Sequence, residues 1–291
     1  MAHNGAMAKT LPSGHVFHKR DAHVRLDRIS ADPPPGLTRE AAKERLEALG
    51  QELFALQDAL WGAKRHAVLV VLQGRDGAGK DGAIKNVAGF LNPRGVAVTS
   101  FGVPTTEELQ HDFLWRVHRH APRLGEVALF NRSHYEDVLV ARVHKLVPKA
   151  TWKERYGHIA GFEELLAEHS TLVLKFFLHI TAEEQEQRLR EREEDSLTAW
   201  KLSVQDWKER DFWGDYTQAY EEAIARTSRK HAPWIVVPAN AKWYRDLVVA
   251  EALVEAMRKH RREWLEVLDE EGRAGREALA AFRAERKARH K

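Results

Sequence analysis

The segment Gly74-Arg75-Asp76-Gly77-Ala78-Gly79-Lys80-Asp81 constrains this chain more than any other. It follows directly on a β-branched and leucine run, Ala67–Leu72, and leads into a helical stretch, Asp81–Phe90. G-x-x-x-x-G-K between a buried strand and a helix is a phosphate-binding P-loop. Its glycines let the backbone turn tightly, so successive N–H groups converge on one anion. The helix N-terminus adds partial positive charge and Lys80 adds a full one. Gly77, Ala78, Gly79, Lys80 and Asp81 are therefore expected to bind phosphate.

The flanking sequence reads as a matching scaffold. Four further apolar runs, Val96–Phe101, Glu126–Phe130, Leu172–Ile180 and Trp234–Val237, have the continuous hydrophobicity of strands buried on both faces. Helical stretches at Asp81–Phe90, Glu107–His120, Ser133–Leu146, Thr151–His169, Ala182–Arg192 and Asp215–Arg229 alternate with them. This alternation predicts an α/β fold of three layers, a five-stranded parallel sheet with helices on both faces. Thr38–Trp61 carries apolar residues at helical spacing, and Trp243–Leu268 reads as one long final helix. Residues 1–36 end in Pro33-Pro34-Pro35 and read as an extended surface arm. Residues 37–262 form the core, and 263–291 form a charged tail whose Ala, Glu, Arg and Lys favour an exposed helix.

Composition excludes several classes. The balance of 43% hydrophobic and 31% charged residues is that of a globular protein. The chain has no cysteine, which excludes disulfides, thiolate nucleophiles and cysteine-held zinc and fits a reducing cytoplasm. No apolar run spans a bilayer, so no membrane partner is expected, and MAHNGAMAKT lacks the apolar core of a signal peptide. A net charge of +3 and a pI near 9.0 permit a polyanionic partner without requiring nucleic acid.

The loop departs from the usual P-loop at two carboxylates. Asp81 stands where Ser or Thr would ligate Mg²⁺, and Asp76 lies inside the phosphate cradle. Carboxylates beside phosphate oxygens repel them unless a divalent cation lies between. A bridging Mg²⁺ (or Mn²⁺) is therefore expected, with Asp76 as the better ligand. Asp81 serves equally well as a first-turn acid that favours the helix dipole.

A second cluster follows the strand Glu126–Phe130: Asn131, Arg132, Ser133, His134, Tyr135, Glu136 and Asp137. Functional groups in open α/β sheets gather at strand C-termini. An ordinary P-loop enzyme carries a metal-binding Asp near here. With Asn131 in its place, Glu136 or Asp137 could supply the carboxylate. Ser133-x-x-Glu136 is also a capping box, and Asp137 also suits a helix start. Arg132 is a candidate for the transferring group. Farther on, Arg188 and Arg192 share one helix face and Lys201 follows, which suits a basic lid over about 188–215. The acidic residues around these arginines suit a solvated helix face instead.

Taken together, these stretches resemble the family-2 polyphosphate kinases. The resemblance rests on Gly74–Gly82, Leu91-Asn92-Pro93-Arg94-Gly95, Phe130–Val138, Lys175–Ile180, Trp207-Lys208, Tyr216, Tyr220, Ala232-Pro233-Trp234, Pro238-Ala239-Asn240 and Trp243-Tyr244-Arg245, and covers roughly residues 40–260. It implies a thymidylate-kinase-like P-loop kinase fold with a helical lid. It also implies polyphosphate as donor, a nucleotide as acceptor and Mg²⁺. Asn131 with Glu136 looks like the subgroup that takes both AMP and ADP on to ATP. On that basis Asp76, Lys80, Arg132, Asp137, Arg188 and Arg192 are the catalytic candidates, and Asp76, Asp137 and Glu136 the metal ligands. Lys85, Arg94 and Lys201 would track the polyanion. Phe101, Thr105, Arg116, Asn131 and Glu136 would meet the nucleotide. A homo-oligomer is expected. Two other readings stay open: an ATP-dependent nucleoside monophosphate kinase, and a non-catalytic P-loop protein that binds polyanions.

Overall fold

The computed structural model describes residues 14–194, 196 and 199–289. In chain order the elements are β1 (His15–Phe17), α1 (Arg39–Ala63), β2 (Ala67–Gly74), α2 (Lys80–Ala88), β3 (Val96–Ser100), α3 (Trp115–His118), β4 (Val127–Asn131), α4 (Val140–Val143), α5 (Lys149–Glu168), β5 (Thr171–His179), α6 (Ala182–Glu194), α7 (Val204–Lys208), α8 (Trp213–Thr227), β6 (Trp234–Pro238), α9 (Lys242–Arg258) and α10 (Arg261–Arg289). They build one sheet in the order β1-β6-β5-β2-β4-β3.

The sheet has six strands where the sequence predicts five. Strands β2 to β6 run parallel, as the apolar runs imply, and β1 adds an antiparallel edge, with Val16 opposite Ile235. Part of the expected surface arm is thus sheet. Three residues, two of them exposed, are too few to show a strand period. The arm is also tied to the sheet beyond β1: Asn240 N–H donates to the Ala31 carbonyl and Leu26 is buried.

Strand β2 sits at the centre, buried along its whole length. One core lies between the sheet and α1, α2, α9 and Trp264 of α10; the other holds Tyr135, α5 and α8 against the opposite face. These are the expected helical layers. The register places Leu72 beside Asn131 and Gly74 beside Leu178, so the loops after β2, β4 and β5 open at one edge.

Three predicted helices are shorter or broken. Glu107–His120 is a 3-10 turn at Glu108–Gln110 followed by α3, because the Asp112 carboxylate takes the Leu114 and Trp115 N–H groups and starts a new turn there. Ser133–Leu146 is a 3-10 turn at His134–Asp137 followed by α4. Trp243–Leu268 breaks between Arg258 and Arg261 into α9 and α10. Trp264 anchors α10 through its indole N–H, which donates to His66 Nδ1 at 3.0 Å. Val267 and Leu268 still pack on the core, and from Arg273 to Arg289 the helix is exposed. No helix among the described residues is long and apolar enough to cross a membrane.

Candidate active site

The cradle is built by backbone conformations that glycine permits. Gly77 and Gly79 take φ of +83° and +94°, and a Cβ at Gly79 would collide with the Arg245 guanidinium. The turn delivers Lys80 to the first position of α2. Its ammonium is buried and donates to the carbonyls of Gly74 (2.6 Å) and Arg75 (3.2 Å), with Asp76 Oδ1 at 3.8 Å. Burial lowers the Lys80 pKa, and the Asp76 charge opposes that shift.

The loop after β4 meets the cradle at one contact. Arg132 Nη2 donates to Asp76 Oδ1 at 2.7 Å, and Arg132 Nη1 lies 3.7 Å from Glu136. Burial works against the Asp76 charge, but Lys80 and Arg132 outweigh it and hold this carboxyl below its ordinary range. Burial dominates at Glu136 and pushes its pKa up despite Arg132 and Lys80. Two neighbouring carboxyls are thus biased in opposite directions. Asn131 Nδ2 donates to Asp81 Oδ1 at 2.7 Å, a second tie between the two loops.

Two cavities meet at this contact. One, of about 510 Å³, is lined by Asp76, Lys80, Asp81, Asn131, Arg188, Arg192 and Lys242 among others. The other, of about 610 Å³, has Arg75, Glu136, His144, Trp213, Tyr216 and Tyr220 on its wall. Both are bounded by Asp76, Arg132 and Asp206. The first is polar throughout, and the second is walled by aromatic and apolar side chains with polar groups at one end.

The remaining predicted residues separate into those the structure brings here and those it does not. Arg188 reaches the cradle but acts through backbone. Its guanidinium donates to the carbonyls of Gly77 (3.0 Å), Ala78 (3.1 Å), Ala239 (2.5 Å) and Asn240 (2.7 Å) and to Glu184. It clamps the loop from below while lining the first cavity. Arg192 lines the first cavity with its charge paired to Asp206 at 3.0 Å. Asp137 is not brought to the cradle: its carboxylate accepts from Arg155 at 2.9 Å, and it lines neither cavity.

Phe101, Thr105 and Arg116 also line neither cavity. Phe101 is buried edge-on against Phe130, and Arg116 donates to the Gly102 carbonyl at 2.9 Å and pairs with Glu108. Thr105 and Glu108 cap each other reciprocally. Lys85 and Arg94 are exposed outside both cavities, with Arg94 over the Trp61 ring at 5.8 Å. Lys201 lies in the 3-10 turn Ala199–Lys201, and its side chain lies outside the described residues.

The carboxylates fit a hard divalent cation. Mg²⁺ is held by one or two carboxylates with substrate phosphates and water completing its shell, rather than by an all-protein cage. The cradle offers that partial set: Asp76 and Asp81 line the cavity that also holds Lys80. The one triad of ligating atoms within 4.8 Å among the described residues, His66, His260 and Glu263, lies by the opposite end of β2.

The family model for polyphosphate kinase 2 (PPK2) matches residues 36–264, which include every element of this site. The chain belongs to the polyphosphate kinase 2 family. The AMP/ADP-polyphosphate phosphotransferase of Meiothermus ruber is 49% identical over 239 residues, 81% of this chain and 90% of that one. The ADP-polyphosphate phosphotransferase of Rhodopseudomonas palustris is 40% identical over 232 residues, 76% of this chain and 80% of that one. In three dimensions the polyphosphate kinase 2 of Arthrobacter aurescens TC1 superposes with a TM-score of 0.78 at 40% identity, covering 80% of this chain and 85% of that one.

Several residues of this polyphosphate kinase 2 site escape a reading of the sequence. Arg75 is buried with its guanidinium 3.8 Å from the Trp213 ring centroid, and it donates to Thr217 Oγ1 and the Trp213 carbonyl. Burial lowers its pKa to about 10. Arg245 lies against Gly79 and Gly82 and pairs with Asp246. Asp206 and Lys242 join the first cavity from α7 and α9. The Arg75 position inside the loop motif was a signal, but its partner lies 138 residues away.

Proposed function

We propose that this enzyme transfers a phosphoryl group between inorganic polyphosphate and AMP or ADP, forming ADP or ATP. The observation that carries this reading is the pair of cavities joined at Asp76 and Arg132. A donor and an acceptor can approach one charged contact from two sides. The first cavity, with Lys80, Arg192 and Lys242, suits a chain of phosphates. The second, with Trp213, Tyr216 and Tyr220, suits a nucleoside whose phosphates reach toward Arg132. The names of the M. ruber and R. palustris relatives support AMP and ADP as acceptors.

In the forward direction an oxygen of the acceptor phosphate forms a P–O bond to the terminal phosphorus of polyphosphate, and the bond to the next bridging oxygen breaks. The shortened polyphosphate leaves with that electron pair. The acceptor oxygen is already ionised, so no strong general base is required. The loop N–H groups and Lys80 hold the donor, and Arg132 neutralises charge on the transferring group. Asp76, with Asp81 or Glu136, would hold Mg²⁺, which would supply positive charge to the phosphates when bound. Residues 188–215 would close over the reaction and exclude water, a thymidylate-kinase-like lid. Arg192 and Asp206 pair at its base.

The test is ATP formation from polyphosphate and Mg²⁺ with AMP or ADP, and no ATP supplied. ATP from both acceptors supports the proposal in full. ATP from ADP alone removes AMP from it. Turnover only with ATP as donor rejects polyphosphate.

A further inference from the structure

Directly behind the Arg132 loop lies a group of buried polar side chains that the chemistry above does not use. Lys175 on β5 and Glu163 on α5 are both fully buried. Lys175 Nζ donates to Glu163 Oε2 (2.5 Å), to the Thr227 carbonyl (2.9 Å) and to the Tyr135 hydroxyl (3.1 Å). The Tyr135 hydroxyl lies 2.8 Å from both Glu163 Oε1 and Thr227 Oγ1, and His134 Nε2 lies 3.2 Å from Glu163 Oε1. The Trp234 indole N–H closes the group by donating to Thr227 Oγ1 at 2.9 Å.

Two members of this group, His134 and Tyr135, follow Arg132 by two and three residues. Arg132 itself holds φ of +61°, a left-handed conformation that a residue with a Cβ keeps only when its surroundings enforce it. On one side the Arg132 N–H is fixed by the Leu72 carbonyl at 3.0 Å. On the other, Ser133 Oγ accepts from Gln73 Nε2 (3.0 Å) and from the Tyr135 N–H (3.1 Å). Beyond Ser133 the next anchors are His134 and Tyr135, and what they hold on to is the Glu163–Lys175 pair.

A buried ion pair is a poor source of net stability, since apolar residues of similar volume often replace one without loss. It does impose a direction on every group bonded to it. We propose that Lys175, Glu163 and Tyr135 are positioning residues: they hold the strained Arg132 loop in the register that keeps its guanidinium on Asp76. This rests on the role given to Arg132 above.

The test is a double-mutant cycle. Y135F removes one of the two groups, with His134, that join the loop to the pair, and E163L/K175M replaces the pair with apolar side chains. Each is made in the wild-type and the R132A background. In each protein kcat and KM for polyphosphate and nucleotide are measured alongside Tm. Y135F is expected to lower kcat roughly 10- to 100-fold, the scale of a small misplacement of a reacting group. KM should stay within about twofold, since a transition-state interaction is what is lost. In the R132A background Y135F should cost nothing more, because the group it aligned is gone. Losses that multiply between Y135F and R132A overturn the proposal, and so does a Y135F enzyme with wild-type kcat. If Y135F fails to fold, E163L/K175M is read by the same criteria. An R132A enzyme that retains wild-type kcat instead rejects the role of Arg132 itself.

Discussion

Arg132 and Asp76 come from loops 56 positions apart and meet through a hydrogen bond of 2.7 Å. The contact joins the phosphate cradle to the loop after β4 at the place where the two cavities meet. It also sets the charge state of the cradle, because Lys80 and Arg132 together keep Asp76 ionised against the effect of burial. Its charge is met by Lys80 and Arg132 in the structure, and under the proposed function it would be a ligand for a divalent cation.

Under the proposed function Lys80 supplies positive charge to the transferring phosphoryl. It is buried at the start of α2, within reach of the loop carbonyls and close to Asp76. Lys80→Ala should lower kcat by roughly 10²- to 10⁴-fold, the scale for losing a preorganised transition-state charge. Steady-state assays with polyphosphate as donor check this, and wild-type turnover would remove Lys80 from the mechanism.

The raised pKa of Glu136 makes a stability prediction with a definite sign. Its folded pKa lies above the unfolded value because burial penalises the charged carboxylate. A group of this kind stabilises the fold below the unfolded pKa and loses that contribution as pH rises through the folded one. Glu136→Gln removes the titration while keeping the shape. The variant should therefore melt a few degrees higher than wild type at pH 8, and the gap should close toward pH 4, near the unfolded glutamate value. Melting curves across that range decide it, and a gap that widens on acidification would reverse the sign.

The phosphate loop and α8 are tied by Arg75, through its stack on Trp213 and its bonds to Thr217 and the Trp213 carbonyl. Arg75→Ala should cost about 2 kcal/mol in urea unfolding, from the lost stack and the two lost hydrogen bonds, the Trp213 carbonyl keeping the Thr217 hydroxyl as donor. Trp213→Leu should cost less, since the hydrogen bonds survive. Equal losses would mean that the stack alone carries the tie.

What the sequence discloses and what it hides follows from distance along the chain. The cradle is contiguous, so its spacing, its strand and its helix are legible together. The central strands β2 and β6 are legible because both faces are buried and their apolar runs are unbroken, whereas β3, read as buried on both faces, is an edge strand with Ala97, Val98 and Ser100 exposed. The clamp is not: Arg188 looks like one cation on a charged helix, and only the folded chain brings it to the carbonyls of Ala78 and Ala239. Strand β1 is hidden for another reason, since three residues with two exposed carry no period. The Arg155 partner of Asp137 is hidden too, because the 3-10 turn after Ser133 does not continue as the regular helix that the capping pattern suggests.

The different surroundings of Asp76 and Asp137 give a paired test of two carboxylates. Asp76 lines both cavities, while the Asp137 carboxylate accepts from Arg155 at 2.9 Å and lines neither. Asp76→Asn should raise the Mg²⁺ concentration needed for half-maximal rate and lower kcat about 100-fold or more, because a ligand and a charge are lost together. Asp137→Asn should leave kcat within about threefold and act on stability alone, by about 1 kcal/mol for a half-buried pair with one partner neutralised. Titrating Mg²⁺ after EDTA treatment separates the two cases. A shift in the metal requirement for Asp137→Asn and none for Asp76→Asn would move the metal to the far side of the Arg132 loop, and the two-cavity arrangement would then have no cation at its junction.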